Sequence, residues 1–227
     1  MRRLLLLALP FVGVAADATA QRTETDLGSR IGVPYRARIP DNVGLAAADR
    51  GRLAMQQFAS CILDRSGKGV AQALTQSTEA AQNQALARLV GAECLDSGEL
   101  RFKAGVMRAA IFTELYRRRT AGGRTMMVSN YDLARSAGAT GPDAVYWWLM
   151  DFADCVVAKD RATASAFVVT SAVSDAETAA LKTLTPSLGP CVTSNQQITL
   201  NRATIKGALA EALYRGAGPS VAPQGKK

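Results

Sequence analysis

Apolar positions recur along this chain with a helical period, in two blocks laid out on the same plan. In the first block Met55, Phe58 and Ile62 stand at i, i+3 and i+7, and Cys61 shares their face, which predicts an amphipathic helix with Cys61 turned inward. Asp49 is the expected N-cap of this helix. Ser66-Gly67-Lys68-Gly69 is expected to end it, because serine and glycine favour turns over helix interiors. A short helical stretch from Val70 to Leu74 follows, and Thr78-Glu79 opens a third helix whose Leu86, Leu89 and Val90 lead to Cys94. Leu100-Arg101-Phe102-Lys103 alternates apolar with polar and predicts a short strand. Met107, Ala110, Ile111, Glu114 and Leu115 then mark the stripe of a last helix. It ends in Arg117-Arg118-Arg119, cations suited to the negative end of a helix dipole.

The second block repeats the order. On a helix opened by Asp143, Trp148, Phe152, Cys155 and Val156 fall at i, i+4, i+7 and i+8. Thr163 to Val173 supplies the short second element, Asp175-Ala176-Glu177 opens the third helix, and Pro186 and Pro190 bend its end into Cys191. Gln197-Ile198-Thr199-Leu200-Asn201 is the strand counterpart, and Ile205, Ala208, Leu209, Ala212 and Leu213 mirror the stripe that begins at Met107. Short words recur as well: Phe58-Ala59-Ser60-Cys61 answers Phe152-Ala153-Asp154-Cys155, and Leu115-Tyr116-Arg117 answers Leu213-Tyr214-Arg215. Cys94 precedes Tyr116 by 22 positions and Cys191 precedes Tyr214 by 23. The expected fold is mainly α, a tandem duplication of a helical unit with one short strand per repeat. Those strands are too short to stand alone and are expected to pair across a pseudo-two-fold or within their own repeats. Lys103/Asn201 and Arg108/Lys206 stay polar in both copies, which reads as a shared solvent face.

Four cysteines at equivalent places in two repeats predict one disulfide in each, Cys61–Cys94 and Cys155–Cys191. Each closes a loop of about 35 residues, worth about 4 kcal/mol in the chain-entropy model before strain is subtracted. A four-thiolate metal site would want closely spaced ligand pairs, and a redox pair would want Cys-x-x-Cys; the spacing offers neither.

Export fits this cysteine usage. Met1-Arg2-Arg3, the apolar run Leu4 to Leu9 and the small residues of Ala18-Thr19-Ala20 have the layout of a signal peptide cut after Ala20. The expected organisation is 1–20 signal peptide, 21–45 extended N-terminal arm, 46–119 first helical repeat, 120–142 connector, 143–217 second helical repeat and 218–227 disordered tail. Composition agrees with a folded domain: 227 residues, 48% hydrophobic and 20% charged. Loss of Arg2, Arg3 and Asp17 with the signal lowers the formal net charge from +8 to +7. This surplus reads first as dispersed solubility charge. As a recognition feature it fits an acidic or envelope-associated protein or glycan, with no nucleic acid expected in that compartment and no membrane span after maturation.

The chain has no histidine, which removes Ser-His-Asp and Cys-His catalysis and histidine-ligated metals. No nucleophile elbow, Walker loop or dinucleotide fingerprint is present either. No catalytic residue, cofactor or metal site is expected. The binding candidates are Trp147, Asp151 and Asp154, an aromatic and two carboxylates on one helix, for which core packing and a solvated acidic edge are the plainer roles. Two functions stay open: a non-enzymatic periplasmic binding or envelope-structural module using a groove between the repeats, and a carboxylate-only hydrolase or lyase drawing on Asp64, Asp151, Asp154 and Asp160.

One resemblance rests on the second block. Phe152-x-x-Cys155-Val156-Val157, Leu184-x-Pro186-x-Leu188-x-x-Cys191 and Gly207-Ala208-Leu209-Ala210-Glu211-Ala212-Leu213-Tyr214-Arg215 together resemble a set of uncharacterised exported proteins of sphingomonad-type alphaproteobacteria. The first block departs from it at Arg108 to Glu114. The resemblance implies a periplasmic location and assigns no functional residue.

Overall fold

The computed structural model describes residues 44–90, 94, 104–128, 141–192 and 200–216. The expected signal peptide, almost all of the N-terminal arm, the tail and the strand segments 100–103 and 197–199 lie outside these. The helices are α1 Ala47–Leu74, α2 Glu79–Ala87, α3 Ala104–Thr120, α4 Gly141–Lys159, α5 Arg161–Val169, α6 Asp175–Leu188 and α7 Arg202–Arg215, with a 3-10 turn at Gly189–Cys191. No strand occurs among the described residues, which corrects the expectation of one strand per unit where it can be compared. Leu200 and Asn201 are not in a strand. Asn201 is the N-cap of α7, its side-chain oxygen accepting from the Thr204 N–H at 2.9 Å, and that demand of a helix start overrides local alternation.

Several boundaries follow from side-chain chemistry. Thr78 caps α2 by accepting from Ala81 N–H, and Ser174 caps α6 by accepting from Glu177 N–H. Asp49 is not a cap: α1 starts two residues before it, and Asp49 instead pairs with Arg52 in the first turns at 3.2 Å. The expected break at Ser66 is a kink, with Ser66 at φ −123° and ψ 28° inside an otherwise continuous α1. Five positions after Cys155, as Ser66 is after Cys61, the second half breaks fully. Asp160 ends α4 and caps α5, accepting from Thr163 N–H at 3.0 Å. The acid satisfies the new helix start, so the chain can turn where α1 only bends.

The centre of the molecule is the pair α3 and α7, which pack on each other more extensively than any other two helices; α1 and α2 flank α3, while α4 and α5 flank α7. α7 is buried without interruption from Ile205 to Tyr214. Its run of Gly207, Ala208, Ala210 and Ala212 is small on every side, so neighbours approach from several directions. At the crossing a Cβ on Gly207 would overlap the Cβ of Ala109, so glycine is required there for close approach. Around this centre the expected stripes are core: Met55, Phe58 and Ile62 from α1, Met107, Ile111 and Leu115 from α3, Phe152 and Val156 from α4. Both predicted disulfides are present, Cys61–Cys94 and Cys155–Cys191, with Cα separations of 5.7 and 5.8 Å.

Candidate functional site

The residues proposed from sequence are dispersed over the surface and the core margin. Trp147 is half-buried, its ring edge-on to Tyr146 at 4.9 Å; Trp148, also half-buried, stacks on Phe152 at 5.7 Å. Both indoles pack against the core, the plainer of the two roles open to Trp147. Asp151 and Asp154 are exposed on α4. Asp64 lies on α1 and pairs with Arg118 at 2.7 Å, while Asp160 is committed to the α5 cap. Thus the four carboxylates are not gathered into one site.

What the fold does gather is a different set, at the α3–α7 centre. Arg108 is 3% exposed and Lys206 6%, which corrects their reading as a solvent face. On α3, Arg108 Nε donates to Gln82 Oε1 at 3.1 Å and Nη2 to the Tyr146 hydroxyl at 2.9 Å, and the guanidinium forms an ion pair with Glu211. Tyr146 in turn donates to Glu211 at 2.9 Å, and Arg215 Nε donates to the same oxygen at 2.8 Å. The Arg108 guanidinium also lies over the Tyr146 ring, 4.6 Å from its centroid. A tyrosine face and hydroxyl here replace the water that a buried cation loses.

On α7, Lys206 Nζ donates to Glu177 Oε1 at 2.9 Å and to the Thr170 carbonyl at 2.7 Å. Arg52 of α1 completes that group through an ion pair with Glu177. Burial raises the proton affinity of Glu177, but its bonds from Lys206 and Arg52 outweigh this and hold the carboxyl below its ordinary range. Burial pulls the Lys206 ammonium downward, only partly countered by Glu177. Glu177 also accepts from the Val173 N–H at 3.1 Å. Val173 has φ +62°, a left-handed conformation that a β-branched side chain enters only under strain.

A third arrangement ties the ends of the central helices. Arg119 lies over both the Tyr116 and Tyr214 rings, at 5.0 and 4.5 Å, and donates to the carbonyls of Leu213 and Tyr214. The Tyr214 hydroxyl accepts from Met126 N–H and donates to Met126 carbonyl, which holds the segment after α3 against the body.

Two concave features lie elsewhere, along the second part of α1. A cleft of about 330 Å³ between α1 and α2 is lined by Gln72, Gln76, Gln84 and Arg88 over a floor of alanines. Another, of about 480 Å³, lies between α1 and the segment after α3, with Lys68, Gln72, Thr75, Arg124, Met126 and Met127 on its walls. Among the described residues, neither cleft is lined by a carboxylate. Instead of the expected groove between the two halves, the α3–α7 crossing is filled by close packing at Ala109 and Gly207. Among the described residues no cluster could hold a metal ion, and no helix is long and apolar enough to cross a membrane.

Sequence reasoning missed the buried charges, although a signal was available. Arg108 stands in register with Ile111, Phe112 and Leu115, and Lys206 with Leu209, Ala210 and Leu213, so each cation sits within an apolar stripe. Searches of protein-family models, curated proteins and solved structures with this chain found no match.

Proposed function

We propose that this chain is an exported, non-enzymatic binding or envelope-structural protein of the periplasm, built as a tandem duplication of a disulfide-closed helical cassette and akin to the sphingomonad-type exported proteins it resembles. The duplication is supported by contacts at paired positions: Cys61–Cys94 and Cys155–Cys191 close corresponding loops, and Ala109 meets Gly207 at the crossing. Each half also sets a cation of its last helix against a polar group of its third-element helix, Arg108 with Gln82 and Lys206 with Glu177. Export is supported by the signal-like N-terminus and by two disulfides, which persist in an oxidising compartment.

The observation that carries the binding reading is the chemistry of the clefts. Among the described residues they present amides, cations and thioethers to solvent and no carboxylate, while the buried acids Glu177 and Glu211 are spent on buried cations. Such walls suit ligand recognition and offer neither a carboxylate nor an imidazole as general base among the described residues. Affinity capture from a periplasmic extract, run beside a hydrolase and lyase activity screen, tests this. A stoichiometric partner without turnover is the expected result. Turnover that is lost in Asp154→Ala would establish the carboxylate enzyme instead.

A further inference from the structure

Resting on the binding reading, we infer that the two clefts along α1 form one surface for an extended acidic peptide that carries an apolar side chain. The clefts share Gln72 as a common wall, so a chain lying across the second part of α1 would touch both. Lys68 and Arg124 stand in one cleft and Arg88 in the other. These three cations make no side-chain hydrogen bond or ion pair among the described residues. That distinguishes them from Arg52, Arg108, Arg117, Arg118, Arg119 and Arg215, all of which are used inside the fold. Cations in clefts whose described walls hold no acid complement carboxylates, and each charge-assisted bond is stronger than its neutral equivalent.

The remaining walls narrow the ligand. Met127 is 79% exposed, well above the 46% of Val192, the next large apolar side chain among the described residues, and it lies with Met126 in the larger cleft. Two flexible thioethers there make an adaptable seat for an apolar side chain. The primary amides of Gln72 and Gln84 also make no side-chain hydrogen bond among the described residues. An amide that both donates and accepts matches a peptide main chain, which offers one of each per residue.

The test uses the oxidised exported protein and a fluorescein-labelled hexapeptide, Ala-Glu-Leu-Glu-Ala-Glu, read by fluorescence anisotropy. Replacing the three glutamates of the peptide by glutamine is expected to weaken binding by about tenfold or more, and replacing its leucine by serine by a smaller factor. The double variant Lys68→Glu/Arg124→Glu is expected to lose about tenfold or more, whereas Lys182→Glu/Arg202→Glu, an equal charge change on exposed positions of the second half, should lose less than about twofold. Met127→Ser should weaken the leucine peptide and leave the serine peptide unchanged. All substituted positions are exposed, and a thermal melt by circular dichroism checks that each variant is folded. Equal losses in the two double variants would overturn the site in favour of diffuse charge attraction. Failure of the acidic peptide to bind, while capture still returns a partner, would overturn the ligand class and leave the binding reading standing. Turnover with loss in Asp154→Ala would overturn the binding reading itself.

Discussion

The Arg108 cluster on α3 and the Lys206 cluster on α7 hold their buried cations against an acid by opposite routes. Around Arg108 the local partner, Gln82, is uncharged, and the carboxylate of Glu211 comes from the other half. Around Lys206 the carboxylate of Glu177 is local, and a second cation, Arg52, arrives from the other half. Glu211 meets two bases, Arg108 and Arg215, and Glu177 meets two, Lys206 and Arg52, the latter also paired with Asp49 at the rim. The fold therefore demands a compensated cation beside the central crossing and leaves open which helix supplies the acid.

The largest effect should come from removing those acids, and unequally. Glu211→Ala leaves Arg108 buried with a charge it cannot shed, at an expected cost of about 3–5 kcal/mol in chemical denaturation. Glu177→Ala should cost less, because Lys206 can lose its proton. The unfolded lysine keeps its proton to about pH 10.4, so the stability of this variant should climb with pH below that value. Equal losses at all pH values would show that the two clusters do not differ in this way.

Next come the disulfides. Replacing either pair, Cys61/Cys94 or Cys155/Cys191, by serine should cost about 4 kcal/mol, with similar values because the bridged positions are 33 and 36 residues apart. A calorimetric series on the two variants measures this.

At the crossing, Gly207→Ala should destabilise by about 1–3 kcal/mol, since the new methyl meets Ala109. Exchanging the two residues, as Ala109→Gly/Gly207→Ala, should recover most of the loss. Full cost in the exchanged variant would show that the two helices are not equivalent at this point.

A smaller effect separates the turns. The second half alone holds a non-glycine residue at positive φ among the described residues, Val173. Val173→Gly should raise stability by about 1 kcal/mol in urea melts, the relieved strain exceeding the flexibility that glycine adds to the unfolded chain.

The smallest is the acid response. Glu177 is held below its ordinary range in the folded state, so its contribution is present above the unfolded value of about 4.3 and is lost as pH falls through the folded value. The wild-type protein should lose stability with acidification below about pH 4.3 more steeply than Glu177→Gln.

The parts legible in the sequence were those written in neighbouring residues. The stripes through Phe58 and Phe152 and the helix start at Thr78 depend on spacings of a few positions, and the cysteine pairing on comparing two such patterns; the cap at Asn201 instead reads, by alternation, as the end of a strand. The charged centre was hidden because its partners are remote: Arg108 reaches Glu211 across 103 positions, and Arg52 reaches Glu177 across 125. Periodicity counts apolar residues and assigns the polar ones outward, which fails when a counter-ion arrives from a distant helix. The clefts were equally invisible, since Arg88 and Arg124 belong to separate segments that only the tertiary packing brings alongside Lys68 and the second part of α1.

The close seating of α7 on α3 also bears on how the molecule comes apart. Arg108 of the first half takes its acid, Glu211, from the second, and Arg52 of the first half shares Glu177 with Lys206 of the second, so parting the halves strands Arg108 in a desolvated wall and takes Arg52 from its acid. Peptide-bond cleavage between Val128 and Gly141 would consequently yield two fragments that remain together as a tight complex, parted by denaturant and not by dilution.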